Sequence, residues 1–198
     1  MFSMEIDYYF TSLSPFTYLG HQRFLQIAKK ANATVHFKPV KLGEVFAESG
    51  ATPLPQRPKS RLDYRLIELG RWAKKRGLPI NKQPSFFPTS PVLADKCVIA
   101  LQASGVEAGA VIGQILAACW EHEKDIAAES TLKEILNAHN IDADALLASA
   151  QSPAIEEIYT NNTHDAIKAG VLGAPAYVYG GEQFWGQDRL ELLEETLG

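Results

Sequence analysis

The sequence predicts an α/β fold with a large all-helical insertion, and three patterns carry that prediction. Residues 4–11 and 34–40 alternate polar and apolar side chains on either side of a helix-spaced stretch at 15–30. Between residues 43 and 165 the periodicity is mostly helical. Beyond it, two short strand-like runs meet at Gly180-Gly181 ahead of a closing helix. The chain therefore divides into a β-α-β half and a β-β-α half, with helices placed between them.

The first strand, 4–11, is rich in Tyr, Phe and Ile, side chains that suit a pleated, half-buried surface. In 15–30 the apolar residues Phe16, Leu19, Phe24, Leu25 and Ile27 recur at near-helical spacing. Lys29 and Lys30 stand where the negative end of the helix dipole favours cations. The second strand, 34–40, closes on Pro39-Val40, and proline is tolerated at a strand end. A strand, a helix and a strand in this order make a right-handed parallel crossover. Helices follow at 61–76, 90–103, 107–121, 131–137, 143–149 and 153–169, with Ser130 and Asp142 as expected N-caps. Residues 176–179 then form a strand, Gly180-Gly181 a hairpin turn, 183–185 a second strand and 188–197 the last helix. Residues 1–42 and 166–198 make one domain and 43–165 the inserted helical domain, which is a thioredoxin-like arrangement with helices between its halves.

Composition narrows the function. At 198 residues the chain is long enough for one well-buried domain, and 46% hydrophobic with 21% charged residues is ordinary for a globular protein. A net charge of -4 with no dense run of Lys and Arg argues against nucleic acid as a partner. No apolar stretch approaches the roughly 20 residues that span a bilayer. Met1-Phe2-Ser3-Met4-Glu5 also lacks a basic region followed by an apolar core, so a cytoplasmic location away from the membrane is expected. Cys97 and Cys119 lie far apart in helical contexts and read as buried small hydrophobes. His21, His36, His122, His139 and His164 show no metal-ligand spacing, and no metal is expected.

Ser14-Pro15-Phe16-Thr17 follows the first strand and opens the first helix. At such a junction free N–H groups and the positive end of the helix dipole stand at the carboxyl edge of a sheet. Pro15 fits the first turn, where its missing N–H costs nothing. A thioredoxin-type redox protein carries Cys-x-x-Cys here. Serine has no redox chemistry, yet its hydroxyl donates a hydrogen bond to a thiolate brought in by a ligand. By itself Ser14 also reads as a plain N-cap, and the two roles are compatible.

Further motifs follow in a recognisable order. Gly170-Val171-Leu172-Gly173-Ala174-Pro175-Ala176 precedes Phe184-Trp185-Gly186-Gln187-Asp188-Arg189-Leu190. Upstream stand Lys59-Ser60-Arg61-Leu62-Asp63-Tyr64, Arg71-Trp72-Ala73 and Thr163-His164. Over essentially the whole chain this resembles the 2-hydroxychromene-2-carboxylate isomerases, in the DsbA-like, kappa-class glutathione transferase branch of the thioredoxin superfamily. The resemblance implies a homodimeric isomerase of aromatic-compound degradation, with glutathione as cofactor and a small aromatic carboxylate as substrate. It makes Ser14 the catalytic residue that stabilises the glutathione thiolate. Ala174 and a cis Pro175 would pair with the cysteinyl backbone, Trp185 and Gly186 would complete the cofactor site, and Asp188 with Arg189 would take the γ-glutamyl end. The implied substrate contacts are Lys41, Lys59, Ser60, Thr89 and Trp72, with Lys59 facing the carboxylate and Phe86, Phe87 and Trp185 as further aromatic lining. From residue type alone, Lys59, Arg61 and Arg65 read equally as a solvated basic face and the aromatics as core. A kappa-type transferase or peroxidase shares this cofactor site. A non-catalytic thioredoxin-fold module is the reading from another class, and Asp188-Arg189 with Lys59 argue against it.

Overall fold

Ile6, Tyr8 and Phe10 place fully buried side chains on one face of β1 (Glu5–Phe10), while Tyr9 is buried on the other, so this strand has a core on both sides. The structure, a computed structural model, describes residues 4–198; Met1 to Ser3, on which part of the leader reading rests, lie outside the described residues. β2 (Thr34–Pro39) runs parallel to β1 with Tyr8 opposite Phe37. β3 (Ala176–Tyr179) is antiparallel on the other side, Tyr8 facing Tyr177, and β4 (Glu182–Trp185) pairs with β3. The order is β2-β1-β3-β4. Gly180 and Gly181 make the hairpin turn with φ of 59° and 83°, a left-handed pair that glycine adopts without steric cost.

α1 (Pro15–Lys30) crosses from β1 to β2 and buries Leu19, Phe24 and Ile27 against the sheet. There the Tyr8 ring stacks on Phe10 at 4.7 Å and Tyr177 at 5.0 Å. Between β2 and β3 come α2 (Leu42–Ser49), a 3-10 turn Leu54–Gln56, α3 (Lys59–Arg76), α4 (Val92–Ala103), α5 (Gly109–Trp120), α6 (Glu129–Ala138), α7 (Ala143–Ala150) and α8 (Pro153–Lys168). α2 was not foreseen: it is short, opens with a Gly in its second position and buries only Val45. With α8 it covers the Tyr9 face of the sheet, where Val40, Val45, Ala166, Val171 and Ala176 meet.

Two local expectations are corrected. Ser130 does not cap its helix, because α6 starts at Glu129 behind Ala128; Asp142 does cap α7, accepting from the Ala145 N–H at 3.0 Å. Asp188 and Arg189 do not open the last helix. Arg189 N–H bonds back to Gly186 O at 3.1 Å, so Gln187–Arg189 is a 3-10 turn and α9 is Leu190–Leu197.

The main hydrophobic core is continuous across the insertion, joining Tyr8, Leu19 and Phe24 to Val98, Ile112, Trp120 and Leu147. We keep the division into 1–42 with 166–198 and 43–165 as a proposal about chain architecture. Cys97 and Cys119 are fully buried in this core as read from the sequence, and burial pushes each thiol up to about 12. Arg76, its side chain only 9% exposed, fastens α3 to the C-terminal segment through Gln187 O at 2.9 Å, Gln187 Oε1 at 3.2 Å and Glu191 at 2.8 Å.

Candidate active site at the start of α1

β1 ends at Phe10, and the next residues fold tightly: the Ser14 N–H donates to Thr11 O at 3.1 Å. Ser14 is extended, with φ -79° and ψ 124°, and its Oγ accepts from the Thr17 N–H at 3.1 Å. It is therefore the N-cap of α1. Its hydroxyl also donates to Ala174 O at 3.5 Å, the outer limit of a hydrogen bond, so that proton is loosely held. Tyr18 N–H donates to Ser14 O and Pro15 has no N–H, and among the described residues the Phe16 N–H at the dipole's positive end finds no partner. No acidic residue in the first turn neutralises that end. Ser14 itself is 6% exposed.

Opposite stands the Ala174–Pro175 bond, which is cis as the resemblance implied. Pro175 O accepts from the Gly186 N–H at 2.9 Å, and Ala176 pairs with Trp185. Gly173 makes a close approach: a Cβ there would lie 3.0 Å from Trp185 Nε1 and 3.3 Å from Phe46 Cε1, so either ring would have to give by a few tenths of an ångström. Gly186 has φ of 100°, and Asp188 sits close against it. Asp188 and Arg189 pair with each other at 2.7 Å on the surface. Ser14, Ala174, Pro175, Trp185, Gly186, Asp188 and Arg189 thus form one contiguous rim.

A family model for a DsbA-like thioredoxin domain matches residues 5–198. The 2-hydroxychromene-2-carboxylate isomerase of Pseudomonas putida is 32% identical over 198 residues, covering 98% of this chain and 95% of the relative. The chain belongs to the isomerase branch of the DsbA-like thioredoxin family. A solved 2-hydroxychromene-2-carboxylate isomerase superposes with a TM-score of 0.83 at 31% identity, over 98% of this chain and 95% of that one. Glutathione S-transferase kappa 1 of Caenorhabditis elegans is more distant, 24% identical over 98% of this chain and 90% of the relative.

The second group of residues makes other contacts. Lys41, two residues past β2 and at the N-cap position of α2 rather than ending the strand, binds Glu156 at 2.8 Å and Thr160 Oγ1 at 2.9 Å, with its ammonium 5.5 Å from the Tyr159 ring centre. Lys59 is 86% exposed and paired with Asp63 at 2.5 Å, one turn along α3; Ser60 beside it is exposed. Thr89 donates to Asp125 at 2.7 Å. Trp72 lies under Lys75 at 4.6 Å and Arg76 at 5.2 Å. No hydrogen bond or ring contact joins Lys59, Ser60, Thr89 or Trp72 to Ser14 among the described residues. Phe86 is exposed, whereas Phe87 packs on Trp120 at 4.9 Å with the Arg65 guanidinium above both rings.

Two buried ionisable residues near the site escaped the sequence reading. His21 is sealed one and a half turns into α1, its Nε2 2.7 Å from Gly109 O, and burial lowers it to about 4. It borders a cleft of about 270 Å³ between α1 and α5, lined also by Tyr18, Leu25, Leu78, Gly113 and Glu121. Asp95 in the first turn of α4 is fully buried against Thr11 and Ser12, and burial raises it to about 6. Its only sequence signal was an acid in a first helical turn, which reads as an ordinary dipole partner. Among the described residues no group of three His, Cys, Asp or Glu side chains is placed to hold a metal, and no helix is long and apolar enough to cross a membrane.

Proposed function

We propose that this protein is a glutathione-dependent isomerase that converts a 2-hydroxychromene-2-carboxylate-like substrate to a trans-o-hydroxybenzylidenepyruvate-like product in aromatic-compound degradation. The observation that carries the reading is the Ser14 hydroxyl, held at the helix start by its cap bond and facing the Ala174 carbonyl with a weakly engaged proton. Full-length similarity to isomerases of that name supports it.

The residues present suit glutathione. Ser14 Oγ–H and the unpaired Phe16 N–H are donors for a sulfur anion, and the α1 dipole favours it. Together they would lower a thiol from its ordinary value of about 8.5 towards neutrality. Among the described residues the Ala174 C=O has no partner but Ser14, so this edge can pair with an extended peptide backbone. Asp188 is exposed at the rim for the γ-glutamyl ammonium, and Arg189 for a carboxylate. The chemistry supplied by bound glutathione is reversible thiolate addition to a conjugated carbon, which frees rotation about a double bond fixed by the ring. Ser14 keeps the sulfur ionised before attack and after release, and being no thiol it cannot divert the cycle into disulfide exchange.

On the substrate side, Lys41, Lys59, Ser60, Thr89 and Trp72 remain the contacts of this proposal, and Arg65 joins them as a further cation. Lys59 already has Asp63, whereas Arg65 has no carboxylate within ion-pair distance among the described residues and stands over an aromatic wall of Phe87 and Trp120. Arg65 is thus the better partner for an aromatic acid. The homodimer belongs to the same proposal. A kappa-type transferase is the second reading, favoured by the Caenorhabditis elegans relative. Product analysis separates them: incubation with 2-hydroxychromene-2-carboxylate and catalytic glutathione should give isomer with no loss of free thiol, whereas stoichiometric consumption of glutathione would mean transfer.

A further inference from the structure

We propose that Asp95 is a positioning residue that holds the turn carrying Ser14 and so fixes where the Ser14 hydroxyl points. The proposal rests on the reading of Ser14 as donor to a bound thiolate. Asp95 Oδ1 accepts the Ser12 N–H at 2.7 Å, and Oδ2 accepts the Thr11 hydroxyl at 3.2 Å and the Tyr159 hydroxyl at 2.8 Å. The Ser14 N–H in turn bonds to Thr11 O at 3.1 Å. Two of the three donors on Asp95 therefore belong to the few residues that set the backbone of Ser14. The third, Tyr159, reaches Val40 O at 3.4 Å at the end of β2, so the ends of β1 and β2 and the helices α4 and α8 converge on one carboxylate.

A role in packing alone does not account for this residue. Asp95 is 0% exposed, and no Lys, Arg or His lies within ion-pair distance of it among the described residues. Lys41 and Lys96, the cations on the neighbouring segments, both bind Glu156 instead. A buried carboxylate without a cation is unfavourable, and an apolar side chain of similar size would suit the core better. Even so, its geometry is complete on the side facing the Ser14 turn. Precision there matters because Ser14 Oγ reaches Ala174 O only at 3.5 Å, so small movements of the turn decide which acceptor the hydroxyl meets.

Asp95→Ala removes every acceptor, while Asp95→Asn keeps one for the Ser12 N–H and is the milder variant should alanine fold poorly. In Asp95→Ala, hydrogen exchange at residues 12–17 should quicken while α5 stays protected, and the thiol of bound glutathione should titrate about one pH unit higher. With 2-hydroxychromene-2-carboxylate as substrate, kcat should fall about 10- to 100-fold with KM little changed, the scale of a small misplacement of a reacting group. Asp95→Asn should fall between. Unchanged exchange at 12–17 together with unchanged thiol titration and kcat, in either folded variant and whatever its melting temperature, would overturn the proposal. If the wild type binds no glutathione at all, the thiolate reading of Ser14 fails separately, and exchange at 12–17 still decides whether Asp95 holds the turn.

Discussion

Ser14→Ala deletes one oxygen that has two neighbours in the structure, and the two losses have different sizes. The Thr17 N–H loses its cap at 3.1 Å, which costs the fold about 1 kcal/mol. The bond to Ala174 O at 3.5 Å is too long to add much. With a thiolate in place the same hydroxyl makes a charge-assisted hydrogen bond instead, contributing about 1.5 to 3 kcal/mol. Removing it should raise the bound thiol by about one to two pKa units, at 1.36 kcal/mol per unit. Isomerisation near neutral pH should then fall by about 10- to 100-fold and recover in part at alkaline pH, where the thiol ionises unaided. The assay is thiolate absorbance in the ultraviolet as pH is raised with glutathione bound, alongside initial rates on the same samples. Superimposed titrations with no loss of rate would refute the argument and leave Ser14 as a cap; superimposed titrations with a large loss would assign it to substrate orientation.

Asp188→Ala should weaken glutathione by about 1.5 to 3 kcal/mol by calorimetry, and unchanged affinity in a folded variant would put the γ-glutamyl end elsewhere. Arg65→Met should raise the substrate KM about tenfold, the loss of a single charge contact, with the thiol titration unchanged; a larger effect from Lys59→Met would restore Lys59 as the carboxylate partner. Stability against pH should reveal two opposing buried groups. Asp95 titrates at about 6 when folded against an ordinary 3.8, so its contribution is full below about 4 and lost as pH rises through 6. His21 titrates at about 4 against 6.5, so its contribution is full above about 6.5 and lost as pH falls through 4. Urea unfolding of Asp95→Asn should therefore gain stability with rising pH across that window more steeply than wild type, and His21→Gln less steeply; parallel curves would show that neither environment is as dry as it looks.

What the sequence revealed and what it hid divide along the range of the interactions. Ser14 was legible because a cap serine followed by Pro15 is a signal written in adjacent residues. The cis Ala174-Pro175 bond was legible only through the family resemblance, since an X-Pro bond taken alone is far more often trans. The Lys59–Asp63 pair was not read because the partner lies one turn away on the same helix, and residue type alone does not say whether a charge is already answered. α2 was missed because its apolar positions Leu42, Val45 and Phe46 span little more than one turn, too short a run to stand out as periodic, and a glycine sits among them. Asp95 and His21 were invisible for the opposite reason: what seals Asp95 is Tyr159 and the Thr11-Ser12 turn, and what seals His21 is Gly109 together with Tyr8, all supplied by distant parts of the chain.

The Arg76 clamp on the Gln187 carbonyl limits how this fold can be rebuilt. The helical block looks like a cassette lying between two halves of a smaller protein, and exchanging it with that of a relative is the natural way to transfer substrate preference. Yet one of its guanidiniums covers the turn on which Asp188 stands. A chimaera whose incoming helix lacks an arginine at that place would exchange the proposed substrate wall and loosen the turn proposed to hold glutathione in the same step, and its failure would look like poor chemistry when the fault was a missing fastener.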